Sequence, residues 1–182
     1  SGPNVLYMAH SLGETAERFG KPVPDMRVLL EASRATLRQA RASRPRPPRD
    51  DKVIVSWNGL MMSALARGAQ VFDEPRYLEA ARDAATFIER RLYDAKTNTL
   101  KRRYRAGAAA IDALLEDHAF LVQGLLDFYE ASFDVKWLSW ALRLEERQDR
   151  LFWDAKGGGY FSTRTGASNV LLRMKDDYDG AE

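Results

Sequence analysis

The chain repeats itself at an offset of sixty positions. Laid on itself at that offset, Leu65 falls on Leu125, Leu78 on Leu138, Ala81 on Ala141 and Arg90 on Arg150. Asp94-Ala95-Lys96 falls on Asp154-Ala155-Lys156, and Leu60, Met61, Tyr77 and Tyr93 meet Phe120, Leu121, Trp137 and Trp153. A gapless match of this length fixes the architecture, because each copy must bury its apolar face against the next.

Each copy carries two helical patterns. In the first, Leu60, Met61, Ala64, Leu65, Gly68, Val71 and Phe72 recur at helical spacing and are expected to face inward. Ala64 and Gly68 are the expected points of close helix approach. After Asp73-Glu74-Pro75, with proline suited to a first helical turn, a second stripe runs through Tyr77, Leu78, Ala81, Ala85, Ile88 and Leu92. The second copy offers Phe120, Leu121, Gly124, Leu125 and Phe128, then Trp137, Leu138, Ala141, Leu144 and Phe152. There Glu145 and Gln148 replace Ala85 and Ile88, so a wetter or polar-packed middle is expected.

Short hairpins are expected after each outer helix, at Leu100 to Arg105 before Gly107, and at Tyr160-Phe161 after Gly157-Gly158-Gly159. Upstream, Ser11-Leu12-Gly13-Glu14 matches a capping box. Asp25 is the expected cap of a helix running to Arg44, with Met26, Leu29, Leu30 and Leu37 inward. Arg44-Pro45-Arg46-Pro47-Pro48-Arg49 reads as a stiff extended connector. The expected division is one domain, 1–182: a leading loop and short helix at 1–24, a helix at 25–44 and the connector at 45–55. Hairpin repeats follow at 56–115 and 116–175, and a third begins at 176–182.

Composition excludes more than it specifies. With no cysteine, there is neither a disulfide framework nor a thiolate metal site. A net charge of +2 does not by itself call for nucleic acid or membrane, and no apolar run approaches a spanning length. Arg34, Arg38 and Arg41 share a helix face that Arg44, Arg46, Arg49 and Lys52 continue, without interleaved aromatics. That is read as a solvated face, and neither nucleic-acid nor membrane partners are expected. A cytoplasmic location is the default expectation.

At the same offset Trp57-Asn58 falls on Asp117-His118, both at the start of an inner helix, so they are expected to share one rim. Glu116 and Asp117 are the candidate acid/base pair, though a carboxylate there also suits a helix start. Trp57 is a candidate stacking platform for a sugar ring, or a core residue, and Asn58 and His118 are candidate ligand contacts. Asp51, before Val53-Ile54-Val55, is a further contact or a turn residue. Asp176, Asp177 and Asp179 cluster without the spacing of a calcium loop, and His10 stands alone. No metal or cofactor is expected.

The ordered set Arg46-Pro47-Pro48-Arg49-Asp50-Asp51-Lys52, Ser56-Trp57-Asn58-Gly59-Leu60-Met61 and Leu115-Glu116-Asp117-His118-Ala119-Phe120 resembles the helical part of YyaL-type, spermatogenesis-associated thioredoxin-domain proteins. Phe152-Trp153-Asp154, the triple glycine with Tyr160-Phe161, and Lys175 to Ala181 match as well. The resemblance implies a segment of an (α/α) toroid of the six-hairpin glycosidase class, similar to N-acylglucosamine 2-epimerases. In the family a thioredoxin-like domain precedes that toroid, and no reaction is established. The expected fold is therefore all-α, with stacked hairpins forming part of a toroid and short β-hairpins in the connections. The resemblance implies carbohydrate processing or binding, through acid/base chemistry that is incomplete in this segment. The alternative is a scaffold that docks a thioredoxin-like domain or another protein. Exposed hairpin ends also make a homo-oligomer an expected outcome.

Overall fold

A computed structural model describes residues 7–167 and 170–175, in two compact units, Ser1–Asp50 and Asp51–Glu182. In the first, α1 (Leu12–Arg18) opens on the expected capping box: Ser11 Oγ accepts from Glu14 N–H, and Glu14 accepts from Ser11 N–H at 2.8 Å. The longer helix α2 (Val23–Ala42) starts two residues before Asp25, which lies in its first turn and is not its cap. Pro24, with no N–H to satisfy, fits that first turn. Met26 is buried and Leu30 half-buried, whereas Leu29 and Leu37 are exposed. Residues 45–52 form no regular structure, as their prolines require.

The second unit holds β1 (Val53–Ile54), α3 (Val55–Phe72), α4 (Pro75–Arg91), β2 (Tyr93–Asp94), β3 (Thr99–Arg105), β4 (Ala108–Asp112), α5 (Leu115–Ser132) and α6 (Val135–Phe152). Helices α3 and α5 begin sixty residues apart, and so do α4 and α6. Each inner helix ends on a left-handed residue, Asp73 (φ 49°) or Phe133 (φ 54°), which turns the chain into its outer helix. The two hairpins lie side by side through α3 and α5.

That contact runs on bare backbone. A Cβ on Gly59 would stand 2.7 Å from Leu121 N, and one on Gly124 would stand 3.2 Å from Gly59 Cα. The inward face of α3 carries Val55, Ser56, Gly59, Met62, Ser63 and Ala66. The stripe expected to face inward does not do so: Leu60, Met61, Ala64, Val71 and Phe72 are exposed, and Leu65 and Gly68 half-buried. Helix α3 is apolar on both sides, so periodicity could not choose between them. The choice fell to small residues that let α5 approach. Gly68 meets only the Tyr77 ring, at 3.5 Å.

The other three stripes pack as their spacing requires. Ala81, Ala85, Ile88 and Leu92 meet Leu121, Leu125 and Phe128, with Trp137, Trp140, Ala141 and Leu144 completing the core. Phe128 meets Trp137 with ring centroids 5.2 Å apart and Tyr93 meets Trp140 at 5.3 Å, both pairs tilted. A fully buried side chain of this size contributes about 1.5–3 kcal/mol. Gln148 is buried, and Glu145 is exposed.

Strand β3 is the centre of the small sheet. It pairs antiparallel with β1, β2 and β4, at Val53–Tyr104, Tyr93–Leu100 and Arg103–Ala110. Ala106 and Gly107 both have positive φ, as a two-residue hairpin turn of the favoured twist demands. The second expected ribbon shrinks to one bridge, Trp153–Tyr160, around Gly158 and Gly159 at φ 72° and 73°.

The glycine contact makes a prediction. Gly124→Ala should cost about 1–3 kcal/mol by overpacking. Gly68→Ala should be neutral or stabilising by up to about 1 kcal/mol. Urea melts of the two variants check this; equal effects would count against it.

Candidate functional site

The close approach of α3 and α5 sets their first turns against each other. Ser56 N–H donates to Asp117 Oδ1 at 3.2 Å, which ties the residue beside Trp57 to the start of α5. Leu114, at the N-cap of α5, has no side-chain acceptor to offer. Asp117, in the third helical position, reaches back and accepts from Leu114 N–H at 3.0 Å through Oδ2, which is one half of a capping box. Arg102 comes in from β3, its Nη1 standing 3.0 Å from Asp117 Oδ2 and 2.6 Å from Glu116 Oε1. Asp117 is completely buried, while Glu116 and the Arg102 fork retain access to solvent. Burial alone would lower the Arg102 pKa, but the bonds to Glu116 and the charges of Asp117 and Glu116 carry it above the ordinary arginine value.

Trp57 projects into solvent, with 67% of its surface exposed, in the first turn of α3. Asn58 is half-buried, and its Nδ2 donates to Ile54 O at 2.7 Å, closing its own turn. Asp51 is exposed and pairs with Arg105 Nε at 2.6 Å. His118 turns toward the other side of α5. Its ring lies 5.4 Å from that of Phe152 on α6, and Nδ1 stands 3.1 Å from Leu114 O. A carbonyl only accepts, so Nδ1 carries the proton and Nε2 is a lone pair. Nε2 is buried without a hydrogen-bond partner among the described residues. Burial lowers the His118 pKa and Arg147 adds to the effect, against the opposing Leu114 bond and Asp117 charge.

The structure thus joins Glu116 and Asp117 to Arg102 beside the Trp57 turn, while His118 and Asp51 engage other partners. His10 is exposed, and Asp176, Asp177 and Asp179 lie outside the described residues. Among the described residues no acidic or histidine cluster is arranged to hold a metal, and no helix is long and apolar enough to cross a membrane. Arg102 was missed from sequence, where it read only as part of a basic run. A buried pair deeper between α3 and α5 was missed too. Ser63 Oγ donates a short hydrogen bond to Asp127 Oδ2, and Arg67 Nη2 pairs with Asp127 Oδ1 at 2.7 Å.

Spermatogenesis-associated protein 20 of Homo sapiens is 43% identical over 190 residues, which take in all of this chain and 24% of that protein. The chain resembles a segment of spermatogenesis-associated protein 20. The Rattus norvegicus protein of that name matches equally, at 43%. An uncharacterised Caenorhabditis elegans protein is 33% identical over 98% of the chain. The chain spans about a quarter of the length of these curated relatives. No family model matches it.

Among solved structures, cellobiose 2-epimerase from Spirochaeta thermophila superposes with a TM-score of 0.56 at 25% identity, over 61% of this chain and 28% of that one. A GH76 α-mannanase from Bacteroides thetaiotaomicron gives 0.58 at 16%, over 65% and 34%. A sugar epimerase from a ruminal bacterium gives 0.55 at 19%, over 64% and 30%. The stacked hairpins are part of an (α/α) toroid.

Two outcomes follow. Arg102→Ala strips the buried Asp117 of its cation and should cost about 3–5 kcal/mol. Glu116→Gln, at a partly exposed pair, should cost less than about 1 kcal/mol; chemical denaturation separates them. The second outcome concerns pH. Since the folded-state pKa of His118 is lowered from 6.5, the folded state binds fewer protons than the unfolded chain. Its contribution is therefore complete above pH 6.5 and declines as pH falls through the folded value. The lowered carboxylates, Asp94, Asp112, Asp154 and Glu14, act further down, below their ordinary values of 3.8 and 4.5. His118→Gln should flatten the melting temperature between about pH 7 and 5; an unchanged slope would refute the assignment.

Proposed function

We propose that this chain is part of a carbohydrate-binding or carbohydrate-processing toroid whose sugar-facing mouth lies at the starts of its inner helices. The observation that carries the reading is the exposed indole of Trp57, one residue from the Ser56–Asp117 bond that ties the two helix starts. An accessible indole offers an apolar face for the C–H surface of a pyranose. Beside it stand groups able to bond hydroxyls. The similar solved structures are named as sugar epimerases and an α-mannanase, which agrees with sugar chemistry in a fold of this kind.

In this reading the two candidate carboxylates divide the work. Glu116 keeps access to solvent and is the group able to exchange a proton with a ligand. Asp117, with Ser56, Leu114 and Arg102 on its oxygens, is a positioning residue that holds Arg102 and through it Glu116. Asn58 and Asp51 are further contacts, Asn58 nearest to the indole in sequence, whereas His118, buried and turned toward Phe152, is not one of them. No metal or cofactor is invoked.

A second reading has its own support. Leu60, Met61, Val71 and Phe72 form an exposed apolar face on α3. Such a face suits a protein partner, whether a thioredoxin-like domain or a second copy of the chain. The location within the cell plays no part in either reading.

A thermal-shift panel of mono- and disaccharides tests the first. Trp57→Ala should weaken the responding sugar by about 2- to 12-fold, as expected for loss of an aromatic contact worth about 0.5–1.5 kcal/mol. Its own stability should stay within about 0.5 kcal/mol, because the side chain is exposed. A sugar response that survives Trp57→Ala unchanged sinks the proposed mouth.

A further inference from the structure

On the far side of α5 from Trp57 lies a small cavity of about 40 Å3 between β3, β4, the start of α5 and the end of α6. Thr99, Asp112, His118, Arg147 and Arg164 supply its polar lining. One water needs about 10–15 Å3 on this scale, so the space takes about three or four oxygen-sized atoms, the number that a tetrahedral oxyanion presents around its central atom. A sugar ring does not fit.

Its charges do not balance. Asp112 is the one carboxylate in the lining, and both of its oxygens are engaged, Oδ1 by Lys101 at 2.7 Å and Oδ2 by Arg164 at 2.9 Å. Arg147 brings a third cation, and its Nε–H is buried with no acceptor among the described residues. Lys101 and Arg164 thus already neutralise Asp112, and Arg147 lines the same cavity as a further cation. Beside them is the His118 imidazole, 2% exposed, with Nδ1–H spent on Leu114 O and the Nε2 lone pair unmet.

The groups left over define a ligand. Arg147 asks for anionic oxygens, Arg164 has further N–H groups beside its Asp112 bond, and guanidinium forks match phosphate oxygens well. The neutral ring of His118 asks for a hydrogen. Sulfate and carboxylate bring charge without a hydrogen, and water brings a hydrogen without charge. A hydrogen-phosphate group brings both.

We propose that this cavity binds a hydrogen-phosphate group, free or as a monoester, with Arg147 and Arg164 on its anionic oxygens and its P–OH donating to His118 Nε2. The free-ion form stands without the sugar reading; a sugar monoester as the natural ligand rests on it. The groups bearing on the His118 charge are Asp117 on its own helix, Arg147 on α6, Asp112 on β4, Lys101 on β3 and Arg164 in the loop after α6.

The test titrates the chain with inorganic phosphate, sulfate, a hexose phosphate and the parent hexose at matched ionic strength. Thermal shift and phosphorus NMR line broadening are read at about pH 7.5 for the inorganic ions, where an ordinary imidazole is neutral. The hexose phosphate is read at about pH 6, because its second ionisation lies at about 6 and it has lost its P–OH at the higher pH. Phosphate should stabilise the fold saturably, and sulfate should be about tenfold weaker for want of one hydrogen bond to a charged group. Arg147→Gln should weaken phosphate about tenfold or more, and Arg147→Lys by less. Arg150→Gln, on the exposed side of α6, should leave it unchanged. If Arg147→Gln does not fold, the lysine variant decides.

Phosphate that acts no better than chloride would mean that the cavity takes water, and would overturn the proposal. So would sulfate that equals phosphate, or phosphate binding indifferent to Arg147. Free phosphate binding without the ester supports the free-ion form and removes the sugar monoester. Ester binding that depends on Arg147 but not on Trp57 supports the cavity and counts against the sugar mouth alone.

Discussion

The arrangement of the second unit depends on one contact, the meeting of α3 and α5 backbones at Gly59 and Gly124. Only where neither helix carries a Cβ can the two axes come this near. Because they do, Ser56 N–H reaches Asp117, and the first turns of the two inner helices become a single surface. A pair of helices held apart by ordinary side chains would leave Asp117 without its Ser56 bond, and the Trp57 turn without a charged neighbour.

The small sheet completes what the helices begin. Strand β3 is held on its edges by β1, β2 and β4, so the position of Arg102 is fixed by register and not by its own flexible side chain. That strand delivers a guanidinium to a carboxylate already bonded to two backbone N–H groups. The burial of Asp117 is tolerable for this reason: desolvation of a charge is offset only when its lone pairs are met. The same sheet lines the cavity behind α5, so one hairpin serves two charged sites on opposite sides of a helix.

Much of this was legible in the residues. The sixty-residue period announced four helices, and the stripes on α4, α5 and α6 named the faces they bury. The stripe on α3 misled, because Leu60, Met61, Val71 and Phe72 outweigh Met62 and Ala66 in any count of hydrophobicity. What decided was the position of a glycine, which scores as nothing. At the candidate site, the dual reading of Asp117 was visible, since a carboxylate at a helix start suits both a cap and a site. Its partner Arg102 was not, for a strand residue finds its neighbour through register, which a single chain does not spell out. The solitude of His118 Nε2 was equally hidden, being a property of space and not of spacing.

Arg67 and Asp127 hold equivalent places in the two copies, yet they attract each other across the junction. Were the copies identical, that junction would set arginine on arginine or aspartate on aspartate. Divergence at this one site turns a symmetric motif into a directional joint: the first hairpin accepts the second, and two copies of either hairpin would repel. The order of these two modules is thereby marked by the charges at their junction, and putting a second copy of either hairpin in the other's place would lose that pair.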